Sequence, residues 1–196
     1  MGDRGNDRII AGLPRMILSD REIQIALKCG QISIVPLPDA ASFSSTSVDL
    51  TLADQGVVWK GTAGVEIRPG VADFRYTQLV HLQEKVDVSG FRFRPQSLLL
   101  AYTREFIDIP ITSRLAARVE GKSSLARLGI GIHVTAPTVH AGFNGQLQLE
   151  MFNFGPHTFS LDAGMKICQL IFEQTAGTPQ AGYSGMFVGQ TSGADA

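Results

Sequence analysis

The chain predicts a mainly β fold, a barrel or sandwich of short strands with one helix near its N-terminus. Two observations carry that expectation. Short apolar or alternating runs recur between residues 32 and 172, bounded by Gly, Pro, Asp or Ser, the pattern of half-buried strands. Helical periodicity framed by start and stop signals is clear only near the N-terminus. With 196 residues, 44% of them apolar, the chain is large enough to bury the core of one domain.

Residues 1–15 are polar and end in Pro14-Arg15, so they are expected to form a flexible leader before a folded domain of residues 16–174. Ser19-Asp-Arg-Glu22 spells a capping box, in which a serine hydroxyl and a glutamate carboxylate reciprocally satisfy orphan backbone N–H groups. Ile23, Ala26 and Leu27 follow at helical spacing, and Gly30 is placed to stop the helix. The strand runs are then Ile32–Val35, Val48–Leu52, Gly56–Lys60, Gly64–Ile67, Phe91–Arg94 and Leu98–Thr103. Gln146–Asn153 alternates cleanly, and Met165–Phe172 is an apolar strand after a glycine turn. Residues 175–196, rich in Gly, Ser, Thr and Gln, are expected to be a mobile tail that orders only over something beneath it.

A formal charge of −1 argues against a nucleic-acid backbone or an anionic membrane as the partner. No apolar run approaches the ~20 residues of a membrane span, and Met1–Arg8 lacks a secretory apolar region. The expectation is a soluble, cytoplasmic protein. Cys29 and Cys168 sit among apolar neighbours and are expected to be buried thiols. His81, His133, His140 and His157 show no metal-ligand spacing, and His133 is expected to be a satisfied structural histidine. The zinc-deaminase signature, H-x-E followed by P-C-x-x-C, does not occur. No metal site is assigned, and any hydrolysis here must activate water without zinc.

Val119-Glu-Gly-Lys-Ser-Ser-Leu-Ala-Arg-Leu-Gly129 contains the Gly-Lys-Ser ending of a phosphate-binding P-loop. The first glycine of that loop is missing, because Ala116 stands five residues before Gly121, and Ile111–Val119 does not read as the apolar strand and glycine-rich turn the loop requires. Two hydroxyls and a lysine at a helix start remain. They could bind an anion, or Ser123 or Ser124 could simply cap the helix.

Gly121-Lys-Ser-Ser-Leu-Ala-Arg-Leu-Gly129, His133-Val-Thr-Ala136, Ala141-Gly-Phe-Asn-Gly145 and Leu147-Gln-Leu-Glu150 together resemble the dCTP deaminase family of the dUTPase-like superfamily. The likeness runs from about Met16 to Gln190 and includes Ile17–Ile23, Ser47–Leu52 and Gly164–Glu173. It implies a distorted jelly-roll β-barrel and a homotrimer with active sites between neighbouring subunits. The implied reaction is hydrolysis of the 4-amino group of dCTP to dUTP and ammonia, with Mg2+ bound through the nucleotide triphosphate and no zinc. Glu150 is then the general acid and base. Ser123, Arg127 and the backbone carbonyl of Ala136 orient the water or substrate. Lys122, Ser124, Thr135, His140, Gln169 and Gln190 contact the nucleotide, with the tail closing over it.

Several residues depart from the family's pattern. His140 stands where the family carries an aspartate that contacts the sugar and, in dUTP-cleaving relatives, activates water. Lys122 replaces an arginine, keeping the charge but losing the bidentate fork. Met186 and Phe187 replace a phosphate-contacting Lys-Tyr pair. Two alternatives therefore stand beside deamination: dUTP diphosphohydrolase activity, alone or coupled to it, and a catalytically silent nucleotide-binding homologue.

Overall fold

A computed structural model describes residues 16–185 and 189–192 of the chain. The expected helix forms as α1 (Asp20–Lys28), with Ser19 at its N-cap donating its backbone N–H to Glu22 Oε2 at 2.8 Å. It buries Ile23 and Ala26 and ends before Gly30, whose φ of 68° suits a residue without Cβ.

Twelve strands follow among the described residues. They are β1 (Ser33–Val35), β2 (Phe43–Ser44), β3 (Ser47–Trp59), β4 (Gln83–Asp87), β5 (Arg92–Phe93), β6 (Leu98–Asp108), β7 (Leu115–Gly121), β8 (Ile130–Gly131), β9 (Thr138–Val139), β10 (Asn144–Asn153), β11 (Phe159–Ser160) and β12 (Lys166–Gln174). A four-residue helix, α2 (Ser123–Ala126), lies between β7 and β8. Ten strands make one curled sheet along the path β8-β10-β6-β3-β12-β7-β9, with β1 added to β6 and β2 and β4 added to β3. β5 and β11 pair apart from it.

β3 turns the corner of the curl: its first half pairs with β12, its second with β4 and β6. The expected runs Val48–Leu52 and Gly56–Lys60 are therefore two parts of one long strand. Inside the curl Leu50, Leu52, Leu99, Leu149, Met151, Leu170 and Phe172 are buried in a shared core. Each such side chain contributes about 1.5–3 kcal/mol by leaving water.

β9 and β10 are consecutive in the chain but are not partners in the ladder. β9 pairs with β7, while β10 pairs with β6 and, at its far end, with β8. The wall of the half-barrel is open there, bridged by the turn from His140 to Phe143. That seam positions the site.

Two expectations need correction. Gly64–Ile67 is not a strand; Val65 and Ile67 are exposed and no neighbouring strand offers them a ladder. Cys29 is exposed, because it follows the last turn of α1 where the chain swings away at Gly30, whereas Cys168 is buried as expected. Among the described residues no helix is long and apolar enough to cross a membrane.

Candidate active site

A cleft of ≈ 260 Å³ opens in the seam between β9 and β10. Ala136, His140, Glu150 and Gln190 line it, four of the residues the sequence nominates, together with Thr138, Gln148 and Tyr183. Glu150 is there because β10 alternates strictly: its odd-numbered residues enter the core and its even-numbered ones face outward. Gln146, Gln148 and Glu150 thus share one face.

The Oε2 atom of Glu150 is buried and accepts no hydrogen bond from any described residue. A buried acceptor left unpaired costs about 1–3 kcal/mol, and more when charged. Such an atom in a cleft marks a place where a ligand or water completes the bonding.

Two phenols lie close by: Tyr76, which feels the charge of Glu150, and Tyr102, which bonds the neighbouring Gln148. Burial raises the pKa of Tyr76; the hydrogen bond from Gln83 Nε2 at 2.7 Å opposes that shift, and the charge of Glu150 adds to it. Burial also raises Tyr102, whose Oη accepts a 2.7 Å hydrogen bond from Gln148 Nε2. Both phenols therefore hold their protons more tightly than an ordinary tyrosine. The sequence reading missed Thr138, Gln148, Tyr76 and Tyr102. Gln148 was within reach of it, two residues from Glu150 on an alternating strand; nothing local marked Tyr76 or Tyr102.

The rim is ordered by the tail. The rings of His140 and Tyr183 stack at 5.5 Å between centroids and 15° between planes. The N–H of Tyr183 donates to Ala141 O at 2.9 Å. This close approach needs Gly142, at φ 89°, since a Cβ there would lie 2.7 Å from the Tyr183 nitrogen.

Lys122 and Gln169 lie at a different place. Lys122 Nζ pairs with Asp49 Oδ1 at 2.6 Å, and Gln169 Nε2 donates to the same oxygen at 3.3 Å. Lys166 Nζ approaches the other oxygen, Oδ2, at 3.7 Å. Asp49 was not among the expected site residues, although an acid inside the apolar run of β3 was a visible signal.

Ser123, Ser124 and Arg127 are exposed at α2 and do not line the cleft of their own chain; Thr135 is exposed beside Ala136. The N-cap of α2 is Lys122 and no side chain caps it, so the capping role considered for Ser123 or Ser124 is not what the fold uses. The residues before Gly121 form an alternating strand, β7, which enters α2 without a glycine-rich turn, so the P-loop stays excluded as the sequence indicates. His133 is not satisfied as expected: its Nδ1 is buried and has no hydrogen-bond partner among the described residues. Met186 and Phe187 lie outside the described residues.

The family profile described as dCTP deaminase-like matches residues 17–175. The chain belongs to this family. As a member of the dCTP deaminase-like family it is 36% identical over 175 residues to the "dCTP deaminase, dUMP-forming" of Aquifex aeolicus, covering 89% of this chain and 91% of the relative. It is also 36% identical over 173 residues to the "dCTP deaminase" of Thermomicrobium roseum, covering 86% and 84%. The 2'-deoxycytidine 5'-triphosphate deaminase structure from Agrobacterium tumefaciens superposes with a TM-score of 0.63 at 22% identity, covering 82% of this chain. The present chain spans 48% of that protein's length. The fold is the expected jelly-roll-like β-barrel of the dUTPase-like type.

Proposed function

We propose that this protein hydrolyses dCTP, or a closely related deoxycytidine nucleotide, to the deoxyuridine nucleotide (dUTP from dCTP) and ammonia, with Glu150 moving the protons. The observation that carries the reading is the Oε2 of Glu150, buried and without a partner among the described residues, in a cleft lined by His140 and Gln190. Water attacks C4 of cytosine as Glu150 takes one of its protons. The carboxyl returns that proton to the ring nitrogen, and a second transfer lets the C4–N bond break and ammonia leave. One carboxylate can serve both steps if it is held dry and close to the ring.

Ser123 and Arg127 are the residues to hold the attacking water, with the carbonyl of Ala136. Because both are exposed on their own chain, the reading has them enter the cleft of a neighbouring copy in a homotrimer. Lys122, Ser124, Thr135, His140, Gln169 and Gln190 hold the nucleotide. Lys122 and Gln169 reach a phosphate only by sharing or releasing Asp49.

Mg2+ would enter with the substrate. Asp49 is already occupied by Lys122 and Lys166, and among the described residues no group of three or more His, Cys, Asp or Glu gathers to form a cage. This donor set suits an ion carried on phosphate oxygens and water, as Mg2+ prefers, and there it would neutralise triphosphate charge. A cytoplasmic location fits a substrate drawn from the deoxynucleotide pool.

The test is to incubate purified protein with dCTP and Mg2+ and assay ammonia and dUTP. Absence of turnover with dCTP, dCMP and base-modified cytosine nucleotides removes the proposal. A second reading has a specific source: the Aquifex relative carries "dUMP-forming" in its name. On that reading dUTP is cleaved onward to dUMP and diphosphate. His140 stands in the position from which an aspartate would activate that second water, so diphosphate release is the measurement that separates the two readings.

A further inference from the structure

We infer that Gln146 is a positioning residue for nucleotide binding: it docks the C-terminal tail onto the open edge of β10 and so places Gln190 in the cleft. This rests on the deaminase reading for its kinetic part alone.

The edge exists because β10 has a partner on only one side for most of its length. β6 covers that side, and β8 reaches the other only at Phe152 and Asn153. An uncovered sheet edge presents N–H and C=O groups that need partners. Residues 189–192 supply them. Gly189 N–H donates to Asn144 O at 2.6 Å, and Gln146 N–H donates to Gln190 O at 2.9 Å. Gln190 Nε2 donates to Gln146 O at 2.8 Å, and Ser192 N–H donates to Gln146 Oε1 at 2.6 Å. Three of these four bonds end on Gln146, two on its backbone and one, from Ser192, on its side-chain oxygen.

The side-chain amide that holds Ser192 is itself fixed from behind. Gln146 Nε2 donates to Thr103 O at 2.8 Å and to Arg104 O at 3.3 Å, across the irregularity where the pairing of β10 with β6 shifts register. Its amide therefore bridges barrel and tail, one end donating inward and the other accepting from Ser192. Together with Tyr183 on Ala141, the contact gives the tail two anchors, one on each side of residues 186–188. Gln190 lies between the Gln146 contact and the cleft it lines. A residue that only braced the register shift would need no partner in the tail.

The experiment compares wild type with Gln146→Met, which keeps length and loses both polar ends, and Gln146→Glu, which keeps the acceptor for Ser192. Hydrogen exchange of the tail is read without nucleotide, alongside thermal unfolding, KM and kcat for dCTP. Losing this bonding should speed exchange of residues 189–192 and raise KM by about three- to tenfold in Gln146→Met, the range a single hydrogen bond spans. Exchange in β6 and β10 and kcat should hold within about twofold, and Gln146→Glu should recover tail protection in part. Unchanged tail exchange, or tail and barrel loosening together, overturns the inference. If Gln146→Met does not fold, Ser192→Pro removes the tail's donor and leaves Gln146 in place; the same rise in exchange supports the docking role and its absence overturns it. Should wild type prove inactive on dCTP, the exchange result still decides the docking, while the deaminase reading falls separately.

Discussion

Asp49 and Glu150 are carboxylates on strands of the same sheet, each flanked by core residues, and they end in opposite states. Asp49 accepts from Lys122 and Gln169 on one oxygen and faces Lys166 across the other. Glu150 keeps one oxygen buried with no partner among the described residues. The first charge is neutralised within the fold and contributes to holding β3, β7 and β12 together. The second is held at a cost that the fold alone does not recover, and a site that receives a substrate can use it. Burial alone does not tell a structural acid from a chemical one; the difference lies in what meets the oxygens.

Removing each carboxylate should therefore have opposite consequences. Glu150→Gln should lower kcat for dCTP by about 10²- to 10⁴-fold, the span of general acid–base catalysis, while the unfolding midpoint stays level or rises. Asp49→Ala should do the converse to stability. Breaking a buried pair costs about 3–5 kcal/mol, and the low end applies because Lys122 keeps 22% of its side chain exposed. For a chain of this size that corresponds to a fall of roughly 6–12 °C in Tm by calorimetry. Equal losses of stability in the two variants would erase the distinction.

Smaller effects sharpen it. His140→Asp should raise diphosphate release from dUTP by about tenfold, as a carboxylate enters where imidazole stands, with ammonia release from dCTP changed less. The raised pKa values of Tyr76 and Tyr102 set an alkaline limit. Both groups bind their protons more tightly folded than unfolded, so their contribution is complete below pH 10.0, the ordinary tyrosine value, and is lost as pH climbs through the raised ones. Urea titrations should show that slope flatten in Tyr102→Phe. The smallest signal is chemical: burial, with the charges of Glu105 and Asp49, pushes the Cys168 thiol far above its normal range. A thiol reagent at neutral pH should label exposed Cys29 and reach Cys168 only on unfolding.

The legible parts of the molecule were those governed by local rules. A capping box and a glycine stop wrote α1, and the polar-apolar alternation of residues 146–153 wrote β10 and placed Glu150 on its outward face. The resemblance then assigned that glutamate a role no periodicity could. What stayed illegible depends on distant pairing. Lys122 meets Asp49 from 73 positions away, and Gln146 meets Ser192 from 46. Gly64–Ile67 looked like a strand because alternation reports a willing segment, not the presence of a partner for it.

The central claim is that the free oxygen of Glu150 works with Ser123 and Arg127 of a neighbouring copy. Mixed assemblies test it most directly. Glu150→Gln and Arg127→Ala, each inactive alone, are unfolded together in equal amounts and refolded, beside a wild-type control. If each site takes its glutamate from one subunit and its arginine from the next, about a quarter of the sites in a random cyclic mixture regain both groups, and ammonia release from dCTP returns to about that fraction. A mixture that stays as inactive as its parents, while the refolded wild type recovers, contradicts the account.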